Sequence, residues 1–401
     1  MPSLSTNGEP TPNWQIILIG ILALAVTMGV GRFAFTPLMP LMLRDETFGP
    51  ATGAEWATAN YVGYLIGAIT ASRFSTHPKL GLVLSLLGIT ATTSAICLVT
   101  PSPLSLLFGA GMRLISGIFS AWTLVCASAW CLGELSKKNA AHLGAWIFTG
   151  VGIGIVLAGM LAWLGGHQSA KTLWLELGLL ALIGTCFVWI GVARARPSAT
   201  LPVMHSKAGS KTPIKQNNFA IVLCYGTFGY GYIVQATFLP TMARQQISDP
   251  MIFGLTWPIF GLAATISVCI CAYWLKNWPR RRVWAIAQFA MAMGTFMPII
   301  TIEIWALALS AIFVGGTFMV ATMAGLQLAR ELTPVNPMPL LAKMTMAFAL
   351  GQIAGPLLVR LLGGVNLKGL DAIVFANGLA TILLIMTAIW LWRQPIKRND
   401  E

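Results

Sequence analysis

Two guanidinium groups stand inside stretches otherwise built from apolar residues. Arg32 lies within the run from Trp14 to Leu43, and Arg113 within the run from Leu104 to Leu132. An unpaired Arg at the centre of a membrane-spanning helix costs ~2.5–3.5 kcal/mol on insertion scales. Each therefore calls for water, a counter-charge or an anionic ligand. A guanidinium offers a planar fork of donors that matches carboxylate or phosphate through paired hydrogen bonds. For Arg32 the functional reading is an anion-binding group. The structural alternative is an Arg bonded to carbonyls where Gly29, Gly31 and Pro37 loosen the helix. For Arg113 the choice is between solute contact and a coupling or structural role.

Acids are scarce beside these bases. Glu176 is the one carboxylate well inside an apolar span, and Glu55 and Asp371 mark the ends of two others. A desolvated carboxylate can titrate in the working range and so couple movement to protons. Glu176, Glu55, Asp371 and Arg113 are therefore the candidates for coupling, with a snorkelling or interfacial Glu176 as the competing reading. Neutral polar and aromatic residues complete the candidate solute site. Asn60, Tyr61 and Tyr64 fall in the second span, Trp122 in the fourth, and Tyr225, Tyr232 and Gln235 in the seventh. Trp257, Gln327 and Gln352 fall in the eighth, tenth and eleventh. Tyr61 and Tyr64 share a helix face at i,i+3. Such groups hydrogen-bond a solute while presenting apolar bodies, or else bridge helices. Trp14, Trp174, Trp278, Trp305, Trp390 and Trp392 lie at span ends and read as anchors at the membrane surface.

The elements that carry these residues follow from composition. The 401-residue chain is 56% hydrophobic and 9% charged, against about 25% charged in soluble domains. Lipid, not water, is the solvent for such surfaces. Twelve apolar spans are predicted at 14–43, 54–74, 80–99, 104–132, 144–165, 172–193, 218–243, 251–275, 283–302, 304–329, 341–362 and 371–392. The seven cysteines fall in or beside these spans and form no CxxC pair, and the four histidines form no metal-ligand cluster. They read as packing and loop residues, so no metal and no cofactor is expected. A phosphate-binding GxxxxGK[ST] loop is missing from the sequence, which disfavours a nucleotide-driven pump. The first apolar run is too long for a cleaved signal, and we expect it to be retained.

The net charge of +13 sits mainly in the loops. With both termini assigned to the cytoplasm, eighteen of the 25 Lys and Arg fall on that side and five on the other, leaving Arg32 and Arg113 inside spans. That asymmetry orients the chain in a plasma (inner) membrane and explains the charge without nucleic acid. The stretch from Arg194 to Asn217 holds five bases, no acids and several turn formers, and reads as a flexible linker. It gives a division into residues 1–193, a first six-helix bundle; 194–217, the linker; and 218–401, a second bundle. The bundles echo each other. Gly29, Gly31, Pro40 and Arg44 return as Gly229, Gly231, Pro240 and Arg244, and Gly150 and Gly154 return as Gly351 and Gly355. A duplicated unit with a solute site between its copies is the implied plan. The fold class is thus all-α, with twelve transmembrane helices in two pseudo-symmetric bundles.

With those residues in view, the chain resembles the major facilitator superfamily, and within it the YbfB/YjiJ-type group. The resemblance covers nearly the whole chain. It is sharpest over Gly29–Pro40 and Gly226–Arg244, with Asn60–Gly67 similar to the group's second helix. Arg113, Gly117 and Ala121 are similar to the superfamily's fourth-helix motif, and Gly150, Gly152, Gly154 and Gly159 to its fifth-helix antiporter motif. The loop after the second span departs from the pattern, because Ala71-Ser72-Arg73 lacks the usual acid; the fifth-helix motif lacks its proline. The resemblance implies alternating access around a central cavity lined mainly by spans 1, 2, 4, 5, 7, 8, 10 and 11. The function expected is secondary transport of a small organic, anionic solute, driven by protons or exchange, by a monomer in the lipid bilayer and with no enzymatic activity. A proton-driven exporter of amphipathic compounds is the alternative. A receptor without transport is the alternative of another class.

Overall fold

The computed structural model describes residues 11–74, 76–195, 218–246, 254–362 and 371–395. Among them are no strands. Twelve long helices run in succession: α1 (Asn13–Arg44), α2 (Pro50–Thr70), α3 (Pro78–Leu98), α4 (Pro103–Lys137), α5 (Ala141–Leu164) and α6 (Ala170–Arg194), then α7 (Phe219–Gln246), α8 (Thr256–Trp274), α9 (Arg280–Ile300), α10 (Ile304–Leu332), α11 (Met338–Leu362) and α12 (Ala372–Arg393). Eleven are long and apolar enough to cross a membrane. The twelfth, α2, has 21 residues. It is diluted by Glu55, Asn60, Tyr61, Tyr64 and three threonines. The linker expected over 194–217 lies almost wholly outside the described residues.

Local sequence accounts for where helices begin. Prolines occupy the first turn of α2, α3 and α4, where the missing N–H is an orphan anyway. Ser169 caps α6 and Asp371 caps α12 by accepting backbone N–H bonds. Outward-facing positions are large and apolar, as in Leu175, Leu179, Ile183 and Phe187 of α6 and Ile382, Met386 and Ile389 of α12. A face of this kind is stable only against lipid. Trp14, Trp278, Trp305 and Trp392 are exposed as expected of anchors. Trp174 is not: it is fully buried, with its indole N–H directed at Met42 Sδ at 3.3 Å, because the α1 end packs over it.

Helix pairing repeats with a shift of six. In the first six helices α2 packs on α4, α3 on α4 and α6, and α5 on α1; in the second six α8 packs on α10, α9 on α10 and α12, and α11 on α7. The two sets meet through a matched couple of contacts, α5 with α8 and α2 with α11. The glycine echo is the seam of these pairings. A Cβ on Gly154 would lie 2.8 Å from Gly29 Cα, and one on Gly351 2.7 Å from Tyr230 N. Neither backbone could approach its neighbour with a side chain there.

Side-chain bonds show which loops share an end of the bundle. Lys138 donates to Thr11 O, Lys79 to Ala195 O at 2.9 Å, and Arg282 to Trp392 O. This, the terminus-bearing end, bears the first and last described residues. At the opposite end Arg44 donates to Gly166 O, and Asp45 accepts from Ala170 N at 2.6 Å.

Candidate functional site

The centre is built on an irregular stretch of α1. From Ala25 to Phe33 the backbone winds as a π-helix, and all nine residues are buried. Runs with i→i+5 bonding are rare and cluster at functional sites. The wider turn is held open from α4. Arg113, Ser116 and Ser120 fall at helical spacing on one face. Arg113 donates to Gly31 O at 2.9 Å and to Arg32 O at 3.0 Å; Ser116 donates to Gly31 O at 3.0 Å and Ser120 to Thr27 O at 3.2 Å. Asn60 braces α4 in turn, donating to Arg113 O at 2.9 Å. Arg113 is therefore engaged with backbone, and Phe35 covers it at 4.8 Å.

The π-helical stretch delivers Arg32 into the centre, 3% exposed. Its guanidinium lies over the Tyr64 ring at 3.8 Å, with the Tyr61 ring at 5.9 Å. One terminal nitrogen donates to Gln352 Oε1 of α11, across the boundary between the two sets of six. Nε and the other terminal nitrogen have no partner, and neither does Gln352 Nε2. Among the described residues the ion pairs are Arg44–Asp45, Lys137–Glu134 and Arg280–Glu331, all at helix ends. Arg32 is thus stabilised by an aromatic face, worth about 2 kcal/mol when desolvated, and by one bond to a neutral amide. That offsets the cost of its burial and leaves a positive fork partly unfilled.

Aromatic rings fill the rest of the centre. Tyr232 of α7 stacks on Phe318 of α10 at 4.9 Å, and Phe33 meets both edge-on at 6.5 and 6.1 Å. Phe348 of α11 lies 6.3 Å from Tyr64, 6.2 Å from Tyr232 and 5.6 Å from Tyr225. Trp257 stacks on Phe260 at 5.3 Å, and Phe260 on Phe318 at 5.4 Å.

The structure therefore gathers Arg32, Tyr61, Tyr64, Gln352, Tyr232, Tyr225 and Trp257 around one centre, with Arg113 and Asn60 behind it. Other candidates face elsewhere. Gln235 donates to Asn377 of α12 at 2.6 Å. Trp122 donates to Thr70 at 2.8 Å and sits between Phe74 and Phe119. Gln327 is buried towards the terminus-bearing end, near Gly144, its amide without a partner. Glu176 is half-buried on α6, which packs against α1 and α3; Glu55 and Asp371 are exposed at helix beginnings. The phenylalanines at 33, 260, 318 and 348 are site residues that sequence reading passes over. Their one signal is adjacency, Phe33 following Arg32.

Two matched sets of six helices, joined around a buried polar and aromatic centre, define a membrane transporter of the major facilitator type. The chain belongs to the family of the uncharacterised MFS-type transporter YbfB, whose model matches residues 24–391. Among solved structures, the crystal structure of the human organic anion transporter MFSD10 (TETRAN) is similar over 94% of this chain and 100% of its own, with a TM-score of 0.69 at 13% identity. At that identity the likeness is one of fold. No curated protein matches the sequence.

Proposed function

We propose that the protein is a secondary carrier that moves a small organic anion by alternating access, with Arg32 as the group that binds it. The carrying observation is the Arg32 fork, buried, with donors unfilled and no ion-pair partner. Tyr61, Tyr64 and Gln352 hold that fork in place, and Arg113 holds the backbone that presents it. The human protein of the same fold is named for organic anions, which agrees with this reading.

Exchange is the coupling that fits best. An empty Arg32 has to cross between the two faces as a bare buried charge, whereas a loaded one crosses neutralised. Reorientation is then easiest when loaded. A proton-driven exporter of cations would need a carboxylate at the centre, and Glu176, Glu55 and Asp371 lie at helix ends or on the periphery. The excess of Lys and Arg in the loops assigned to one side supports a reading with both termini in the cytoplasm and the carrier in the plasma membrane.

Counterflow in proteoliposomes tests this, after a thermal-shift screen of carboxylates has found one that raises stability. Arg32→Ala should reduce uptake of that anion at least about a hundredfold, as expected for loss of a buried charge-assisted bond of ~3 kcal/mol. Arg32→Lys should retain part of it, because the charge stays while the fork is lost. Unchanged counterflow in both variants would remove Arg32 from the site.

A further inference from the structure

The rings around Arg32 are arranged as well as abundant. Trp257, Phe260, Phe318, Tyr232 and Phe348 form one column, with successive centroids at 5.3, 5.4, 4.9 and 6.2 Å and interplanar angles of 5°, 26°, 20° and 21°. Four helices of the second six, α8, α10, α7 and α11, contribute to it. The cation comes from the first six. Column and cation meet at two places. Phe33, the residue after Arg32, sets its edge against Tyr232 and Phe318, with its own ring 5.6 Å from the guanidinium. Phe348, at the end of the column, approaches Tyr64, the ring beneath the guanidinium.

We infer that the solute is an aromatic carboxylate, its carboxyl on Arg32 and its ring inserted at the Phe33–Tyr232–Phe318 junction. The inference rests on the anion reading above and narrows it. Aromatic side chains prefer offset-stacked or edge-on neighbours, and such pairs are favoured beyond the area they bury. A flat ring entering the junction exchanges one set of stacked contacts for another. An aliphatic group of equal size breaks the stack and returns only dispersion. The unpartnered polar atoms at the junction match the polar end of such a ligand. Arg32 Nε and its second terminal nitrogen, Gln352 Nε2 and the Tyr232 hydroxyl all donate, and a carboxylate accepts about four bonds. Trp257 Nε1, farther along the column and also unpartnered, offers one donor to a substituent on the ring. The junction sets Phe33 of the first six against Tyr232 and Phe318 of the second, so a ligand wedged there contacts both bodies that move in transport.

The test uses the intact purified protein in nanodiscs, with radiolabelled benzoate as probe and cyclohexanecarboxylate, of the same charge and similar size, as competitor. We expect saturable benzoate binding that Arg32→Ala abolishes. Cyclohexanecarboxylate should compete about tenfold more weakly, as the loss of a ring–ring contact predicts. Phe318→Leu should weaken benzoate about tenfold and narrow its advantage over cyclohexanecarboxylate. If the two anions bind equally well and both depend on Arg32, the aromatic inference falls and the anion carrier stands. This comparison needs no variant of the column, so a misfolded Phe318→Leu does not blur it. If neither anion binds in a way that Arg32→Ala removes, both readings fall.

Discussion

Arg113→Ala should lower the stability of the protein by about 3–4 kcal/mol, even though Arg113 is not the residue that meets solute. Its fork satisfies two carbonyls, Gly31 O and Arg32 O, at the end of the π-helical stretch. Hydrogen bonds from a charged donor are worth about 1.5–3 kcal/mol each. Ser116 still reaches Gly31 O after the change, but Arg32 O loses its side-chain donor in a region that water does not reach. The guanidinium also leaves a void beneath Phe35. Arg113→Met separates the two effects, filling the volume without restoring a donor. Arg113→Lys returns the charge without the fork and should recover part of the loss. The readout is thermal unfolding in detergent, where the Ala variant should melt at least about 5 °C lower. Transport should fall with it, because the stretch that aims Arg32 is no longer held. Arg32→Ala should do the reverse, losing transport at nearly unchanged melting temperature. An Arg113→Ala protein that melts like the parent would show that the π-helical turns need no support from α4.

The contrast between the two arginines marks how far the sequence could be read. Both stand out because each breaks an apolar run, and that break is visible without coordinates. Their different jobs are not, because the assignment depends on what the neighbouring helix presents. Arg113 faces carbonyls freed by π-helical winding, and nothing in the order of Ala25 to Phe33 distinguishes i→i+5 from i→i+4 bonding. Gly29 and Gly31 permit it, but the donors that stabilise it come from α4, about 85 residues along the chain. The glycine echo was legible for a stronger reason. A position where two backbones touch leaves no space for a side chain, so Gly29 and Gly150 in the first half and Gly229 and Gly351 in the second leave the same mark. The opposite holds for Phe33, Phe260, Phe318 and Phe348. In a membrane-spanning helix a phenylalanine suits the lipid face and the interior equally well. Composition therefore cannot pick these four out from Phe187 or Phe289, which face outward. Asn60 and Gln235 show a third limit. Polar side chains in spans need partners, and the sequence does not say whether the partner is a solute or the next helix. Here both are engaged by helices, and Gln352 alone of the three lies against the cation.

The second large effect should come from Arg330, far from the centre. Arg330, in the last turn of α10, donates across to α4, reaching Ala129 O at 2.9 Å and Ser128 O at 3.4 Å. It crosses between the two sets of six at the terminus-bearing end. The guanidinium passes beside Gly133, where a Cβ would lie 3.4 Å from its terminal nitrogen, in ordinary contact, and a larger side chain would meet it. We expect this bond to hold that end closed in a chain whose loop after α2, Ala71-Ser72-Arg73, carries no acid. Its worth, about 1.5–3 kcal/mol for a charged donor, equals a shift of roughly 10- to 150-fold in the balance between closed and open ends. Arg330→Ala removes the donor and Gly133→Leu displaces it, so both should open the same end. Ser128 is buried beneath the contact, which makes Ser128→Cys a reporter in a background free of the seven native cysteines. Maleimide labelling of that cysteine should quicken at least about tenfold in each variant. A true gate should also unbalance the cycle, so anion counterflow should slow although Arg32 and its surroundings are untouched. If labelling stays at the parental rate in both variants, Arg330 packs against α4 without controlling that end, and closure there depends on α5 with α8 and α2 with α11 instead.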